Sequence, residues 1–508
     1  MSERNGRKPT SKPSASTTPS KRSDARSSNA KPSSTKQPNV KHQAASKKTQ
    51  RTFTVIQWIF ILLTFSLIGW MIKIVVMDKE EIETNDYNPV TEEAKINIIR
   101  GSILDVNGEI VAYTDINEDG SESRRYPYGE SLAHVVGYTG RGESGLEAEL
   151  SEQLLTSSLL DQMTSWANEE KVRGNAVKLT IDAALQEFIY ERMEGYRGAV
   201  IITDPSTGAV KVLVSSPSYD PETLIDNWEL IADRNDSPLY PRATQGLYAP
   251  GSTFKIITAL AMYRNMSDYL TYSYSCDGTL EAGESTIACA GGEVHGTVTI
   301  PDAFAESCNG FFGSAGIRMG KEALEAAANY VKIGSDFGFI LPVSTSSLGL
   351  DTYESDGMIA QTSIGQGKVT LTPFFLNMLT CSIANGGVLY SPYLVDSYYS
   401  SSGTLLAENE PKLFGTIMGS SEAAFLQSLM KGVVEYGTGT ELQSDRYTVY
   451  GKTGTAQVEG DSDHSWFTGY VVRDGKVELA FTVLIENGGR EKRAIPLVRD
   501  FLDYLYAE

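Results

Sequence analysis

Cysteine and histidine are both scarce in this chain of 508 residues, which carries four of each. Cys276, Cys289, Cys308 and Cys381 are too few for a disulfide-built scaffold and show no CxxC spacing. His42, His134, His295 and His464 form no HxxxH or HExxH pair, so neither a catalytic metal nor any other cofactor is expected. Cys276 and Cys289 stay open to two readings, a bond in an oxidising compartment or two reduced, partly buried thiols. Internal repeats are lacking as well. Apolar residues are almost missing from Met1–Arg51, which is rich in Ser, Lys, Pro and Thr. Such a segment cannot bury enough surface to offset its ordering entropy and is expected to be disordered.

Acidic residues are also nearly absent from that segment. Thirteen of the 44 Lys and Arg, but only Glu3 and Asp24 of the 64 acids, fall in Met1–Arg51. A tail of +11 is therefore joined to a remainder of −31, and the two are expected to face different solutions. The basic tail suits anionic lipid headgroups better than nucleic acid, because an apolar run comes directly after it. That run, Phe53–Ile72, is uncharged, and about 20 helical residues span a ~30 Å hydrocarbon core. It is too long for the h-region of a cleaved leader, and no A-x-A site comes after it. Trp58 and Trp70 suit interfacial positions. Lys47, Lys48 and Arg51 precede the run, and Asp78, Glu80, Glu81 and Glu83 lie beyond it. The positive-inside rule places the tail in the cytoplasm and everything after Met77 outside.

Beyond the membrane the pattern mixes helix and strand. Asn97–Asp105 and Glu109–Tyr113 flank a turn at Asp105-Val106-Asn107-Gly108, and Gly145–Leu155 and Asp182–Gly195 read as helices. Gly198–Thr203 and Ala209–Val214 read as strands of a hairpin joined by Asp204-Pro205-Ser206-Thr207-Gly208. Pro250-Gly251-Ser252-Thr253-Phe254-Lys255 turns tightly into the apolar helical run Ile256–Met262. Ser252 at a helix start, with Lys255 one turn on, offers a hydroxyl nucleophile, a neighbouring amine and backbone N–H donors. The pattern S-x-x-K means little by itself, since Ser28–Lys31 and Ser33–Lys36 share it in the tail. Two motifs further along the chain give it meaning. Ser307-Cys308-Asn309 supplies a hydroxyl for relaying protons and an amide for holding a peptide. Lys452-Thr453-Gly454-Thr455 lies between the strand-like runs Tyr447–Tyr450 and Trp466–Val472. Lys452 there would meet a carboxylate, and Gly454 would let another backbone come close.

In this order the three motifs resemble the S-x-x-K, S-D-N and K-T-G set of penicillin-binding proteins, with Cys308 in the middle place of the second. Further segments are similar to class B members: Arg100–Asp105, His134–Tyr138, Gly145-Leu146-Glu147, Leu179–Asp182, Arg242-Ala243, Ser363–Gly367 and Ala384–Gly387. The short N-terminal region looks most like that of the small proteins related to actinobacterial penicillin-binding protein A. The resemblance implies an α+β chain: a disordered basic tail (1–52), a transmembrane helix (53–77), a pedestal or dimerisation-like domain (78–195) and a serine transpeptidase domain (196–508). The last would hold a β-lactamase-like central antiparallel sheet flanked by helices. Residues 78–195 leave little room for a glycan-polymerising domain, given ~150 residues for a typical domain.

The resemblance also implies a peptidoglycan D,D-transpeptidase without cofactors, acting in cell-wall synthesis on stem peptides of lipid-linked precursors. Ser252 would form the acyl-enzyme, with Lys255 as proton acceptor and Ser307 passing a proton to the leaving group. Asn309 would hold the peptide amide. Lys452, Thr453, Gly454 and Thr455 would form the carboxylate and oxyanion side, with the Ser252 and Thr455 N–H groups as donors. Burial would lower the pKa of Lys255, and a Lys452 cation ~4 Å away would repel it by about 4 kcal/mol at an effective dielectric of ~20 and help keep it neutral. β-Lactams would acylate Ser252, and the pedestal would meet a polytopic membrane glycosyltransferase. The competing readings are a catalytically weak scaffold for such a polymerase, or a β-lactam-hydrolysing or sensing relative.

Overall fold

The computed structural model describes residues 47–76 and 98–507, apart from 141, 169–170, 351–354, 459 and 490–492. The expected disordered tail falls almost wholly outside the described residues. The chain divides into two units, Met1–Asn88 and Pro89–Glu508. In the first, Lys47–Val76 is one helix, and its Arg51–Trp70 stretch has a mean hydropathy of 1.9 with no part buried against protein. That helix is long and apolar enough to cross a bilayer. The Thr64 hydroxyl donates to the Phe60 carbonyl at 2.8 Å, satisfying within the helix a group that hydrocarbon cannot.

The second unit is organised by a five-stranded sheet, in spatial order Thr448–Ala456, His464–Arg473, Lys476–Ile485, Gly198–Thr203, Val210–Ser216. Every neighbouring pair is antiparallel. Helices cover both faces, so its inner strands are apolar on both sides. In Gly198–Thr203, Ala199 and Ile201 join the core that holds the helices Lys255–Asn265 and Pro373–Ala384. Val200 and Ile202 join the opposite core, with Ala183–Arg192 and Ala494–Leu505. The period of two thus distributes one uninterrupted apolar run between two cores. The expected hairpin closes as read, with Gly208 at φ +84° and its N–H donating to Asp204 O at 2.8 Å.

A six-stranded sheet underlies the N-terminal part, in the order Leu405–Glu408, Val395–Tyr399, Ala176–Leu179, Ile103–Leu104, Ile110–Ile116, Glu122–Arg125. Two of its strands come from far beyond residue 195, and Ile103 and Val177 share a core cluster with Phe254 and Leu376. The expected boundary near residue 195 is thus crossed by both a sheet and a core. The Asp105 turn forms as read, its carboxylate accepting from the N–H groups of Asn107, Glu109 and Ala183. The helix expected over Gly145–Leu155 is two short ones, Gly145–Glu149 and Ser151–Leu154, meeting at Leu150 (φ −110°, ψ 14°). Leu146, Leu150 and Leu154 keep a buried stripe across the break.

Beside that stripe sits the fully buried Glu147, bound to Arg100 Nε at 2.5 Å and to Arg124 Nε at 2.7 Å. Arg124 also donates to Gly101 O at 2.7 Å, fastening the strand at Glu122–Arg125 to the entry segment. Removing the anion takes the carboxylate from Arg124 and one of two from Arg100, which keeps Glu143 at 2.9 Å. Glu147→Ala should therefore cost about 3–5 kcal/mol of stability, read as a lowered urea midpoint, with Glu147→Gln milder.

Candidate active site

The site starts from a glycine that must be a glycine. Gly251 has φ +53°, and a Cβ there would lie 2.3 Å from Thr455 O; its N–H donates to Gly365 O at 2.9 Å. The chain then makes a single 3-10 turn, Gly251–Phe254, before the helix Lys255–Asn265 begins. Ser252, expected at a helix start, lies in this opening turn. Residues three apart eclipse in a 3-10 turn, which favours Ser252 and Lys255 on one face. Thr253 Oγ1 donates to Pro250 O at 2.8 Å, and Trp466 Nε1 donates to Ala249 O at 3.1 Å, holding the turn from both sides. Ser252 remains half-buried at the surface of this anchored corner.

Lys255 is fully buried. Its Nζ lies 2.6 Å from Ser307 O, 2.7 Å from Asn309 Oδ1 and 3.1 Å from Ser307 Oγ, with the Phe312 ring centroid at 5.6 Å. Burial pushes this amine down to about 7, while the thiols Cys308 and Cys289 push the other way. Desolvation is therefore the first cause of the shift. Lys452 is also fully buried, its Nζ 3.0 Å from Ser307 Oγ and 3.2 Å from Thr453 O. One hydroxyl thus stands between two lysines. Lys255 Nζ donates to three acceptors of the Ser307–Asn309 turn, Ser307 O, Asn309 Oδ1 and the Ser307 hydroxyl oxygen. That hydroxyl oxygen also accepts from Lys452 Nζ. Ser307 reaches this position at φ +62°, a left-handed conformation that costs a non-glycine residue about 1–3 kcal/mol.

The Lys452–Thr455 motif was expected between two strands and lies within one, Thr448–Ala456, because pairing with His464–Arg473 runs unbroken from Thr448↔Val472 to Ala456↔His464. This is the edge strand of the five-stranded sheet. A Cβ on Gly454 would lie 2.8 Å from Thr253 Cγ2, 2.9 Å from Trp466 Cβ and 3.1 Å from Pro250 O. Its absence lets the strand pass directly against the Ser252 turn. Thr455 sits half-buried there, and Thr453 is buried. Ser252, Lys255, Ser307, Asn309, Lys452, Thr453, Gly454 and Thr455 are thus brought to one place.

Sequence reasoning missed Thr438, whose hydroxyl lies 2.6 Å from that of Thr453. The only signal was its setting between glycines. A Cβ on Gly437 would lie 2.3 Å from Ala305 O, which marks a backbone crossing rather than a plain loop. It also missed the cluster behind the Ser307–Asn309 turn. Linear spacing offered no metal motif, yet folding brings donor atoms of Cys276, Cys289, His295 and Cys308 within 4.8 Å of one another. The four cysteines are free, so the pairing considered for Cys276 and Cys289 is not formed.

Residues 198–503 match the family model described as penicillin binding protein transpeptidase domain. The peptidoglycan D,D-transpeptidase PbpA of Mycolicibacterium smegmatis is 30 % identical over 420 residues, covering 77 % of this chain and 84 % of that protein. The peptidoglycan D,D-transpeptidase MrdA of Haemophilus influenzae is 28 % identical over 504 residues, covering 84 % and 75 %. Among solved structures, penicillin-binding protein A of M. tuberculosis as its imipenem acyl-enzyme complex superposes with a TM-score of 0.74 at 28 % identity, covering 80 % of this chain and 99 % of that one. With a glycine-cornered serine, a buried low-pKa lysine and a K-T-G edge strand assembled on this fold, the chain belongs to the penicillin-binding protein transpeptidase family.

Proposed function

We propose that this chain is a membrane-anchored peptidoglycan D,D-transpeptidase that works through an acyl-enzyme on Ser252. The observation that carries the assignment is the Ser307 hydroxyl held between Lys255 and Lys452, at 3.1 and 3.0 Å, beside the Ser252 turn. Ser252 Oγ attacks the carbonyl carbon of the penultimate D-Ala of a stem peptide, and its proton passes to neutral Lys255. The resulting oxyanion is received by the N–H groups of Ser252 and Thr455; one such donor is typically worth ~10²–10³ in rate. As the C–N bond breaks, the departing D-Ala amine takes a proton from the Ser307 hydroxyl, which Lys255 replenishes. A second stem's amine then attacks the ester and frees Ser252. Lys452, Thr453 and Thr438 meet the terminal carboxylate, and Asn309, fixed by Lys255, meets the peptide amide.

In the resting arrangement Lys255 is bonded to the Ser307–Asn309 turn rather than to the Ser252 hydroxyl. Substrate entry tightens that contact, as is common for catalytic hydrogen bonds. The basic residues Lys47, Lys48 and Arg51 before the apolar helix support an N-terminus in the cytoplasm and a catalytic unit outside. A polytopic glycan polymerase is the partner that a monofunctional cross-linking enzyme needs, and the six-stranded sheet region is the part free of catalytic residues to meet it.

Fluorescent penicillin should label the purified protein stably, and Ser252→Ala should not label; rapid loss of label would make it a hydrolase, and no label a scaffold. Because Lys255 is neutral above about 7, the acylation rate should rise with pH through a midpoint near 7 and then level off. Lys255→Arg, which stays charged, should not acylate. Lys452→Met should slow acylation, and the position of that midpoint separates the two causes: a midpoint left in place assigns the shift to burial. A midpoint raised by about one unit or more would instead assign the shift to the Lys452 charge.

A further inference from the structure

One nearly buried carboxylate that belongs to none of the motifs is tied to the Ser252 corner. Glu486 comes just after the strand Lys476–Ile485, the middle strand of the five-stranded sheet. Its backbone N–H donates to Arg197 O at 2.7 Å, and the residue before it, Ile485, pairs with Gly198 on one side and Ser465 on the other. The base of the side chain is therefore fixed to the centre of the sheet. The side chain itself is 11 % exposed and meets three partners. Oε1 accepts from Arg242 Nε and from the Tyr248 hydroxyl, each at 2.7 Å, and Oε2 faces Arg197 Nε at 3.1 Å.

We infer that Glu486 is a positioning residue for acyl transfer at Ser252: by drawing Arg242 and Tyr248 onto one carboxylate, it sets the Ser252 corner against the strand that carries Thr455. The inference rests on the Ser252 reading and deepens it. A carboxylate that only neutralised Arg242 would need no tyrosine. Here the oxygen that takes Arg242 Nε also takes the phenol. Arg242 is itself fixed by donating to Ser237 O at 2.9 Å and Asp236 O at 2.7 Å, so the shared oxygen has a defined place from which to hold Tyr248. Hydrogen bonds to an ionised acceptor are short and strong, which suits them to holding a position. Burial first, and then the Glu486 charge, push the Tyr248 phenol far above its ordinary value, so it remains a donor at every working pH.

Tyr248 hands this fixation on to the corner, which begins at its second neighbour, Pro250. Its main chain exchanges two hydrogen bonds with Leu371, at 3.1 and 2.9 Å. Its ring packs T-shaped against Trp466, with centroids 6.1 Å apart, and Trp466 Nε1 donates to Ala249 O. Trp466 pairs in turn with Gly454, so one indole touches the approach to Ser252 while its backbone aligns the strand of Thr455. Gly246 makes room for the tyrosine: a Cβ there would lie 2.2 Å from Tyr248 Cε2. The residue after Glu486 completes the tie. Asn487 N–H donates to His464 Nδ1 at 3.1 Å, and His464 pairs with Ala456, the neighbour of Thr455. The two oxyanion donors, the N–H groups of Ser252 and Thr455, are thus joined to one short segment, the first through Tyr248 and the second through His464. Their spacing matters because a misplacement of about 1 Å can cost ~10²-fold in rate.

The test takes the full-length protein in detergent and resolves penicillin acylation into the dissociation constant of the first complex and the acylation rate constant. Tyr248→Phe removes one oxygen and keeps the ring. It should lower the rate constant about tenfold and leave the dissociation constant within about twofold. Glu486→Gln, which keeps the shape and loses the charge, should lower the rate constant further. The two together should cost less than the product of their separate effects, because the hydroxyl acts through the carboxylate. A peptidyl boronic acid, whose tetrahedral adduct with Ser252 puts an oxygen between the same two donors, should bind each variant more weakly by the factor lost in rate. If Glu486→Gln does not fold, Tyr248→Phe alone decides. An unchanged rate constant in Tyr248→Phe overturns the inference, as does an effect confined to the dissociation constant. A smaller labelled fraction at an unchanged rate constant marks a merely structural role and overturns it too. A wild type that takes no label refutes the Ser252 reading itself, and this inference with it.

Discussion

The chemistry of this molecule depends on an amine kept out of water. A lysine at the surface is protonated at neutral pH and useless as a base. Lys255 is held at about 7 because the helix that carries it is sealed under the sheet, with the Phe312 ring beside it. Sealing a charge-bearing group is tolerable only if its polar atoms are met, and three acceptors of one short turn meet them. The turn must bend into a left-handed conformation at Ser307 to do so. Burial, the strained serine and the second lysine are therefore parts of a single arrangement, and no one of them explains the site without the others.

Much of this arrangement could be read from the chain. Ser252, Lys255, Ser307, Asn309 and Lys452 are each ordinary in isolation and informative only as an ordered set, because catalysis constrains which groups meet while local structure constrains each triplet. The hairpin over 198–216 and the Asp105 turn were legible because turn residues and apolar alternation are local signals. Illegible features depended on crossings. The 3-10 geometry at Gly251–Phe254 arises from a strand passing at Thr455, some two hundred residues later in the chain. Thr438 joins the site through a backbone contact at Gly437 that no spacing reveals. The Lys255 shift obeyed the same logic: its downward direction could be expected from burial and a neighbouring charge, whereas how deeply the amine is buried depends on the whole core.

The cysteines show the limit of linear spacing from another side. Metal motifs are recognisable in a sequence when their ligands come from one hairpin or one helix. Here Cys276, Cys289, His295 and Cys308 meet from three strand ends and a helix cap, and the intervals between them reflect the lengths of hairpins. The glycines between them, several with positive φ, fold those hairpins back on themselves.

The sheet that underlies the N-terminal region has a different consequence. The family match begins at residue 198, whereas Val395–Tyr399, well inside it, pairs with Ala176–Leu179, well outside it. A polypeptide trimmed to the matched segment would keep the catalytic residues and still present an unprotected row of main-chain donors and acceptors along Val395–Tyr399. Such a row invites other chains to add strands to it. The N-terminal region thus covers an edge that would otherwise lie open to strand addition.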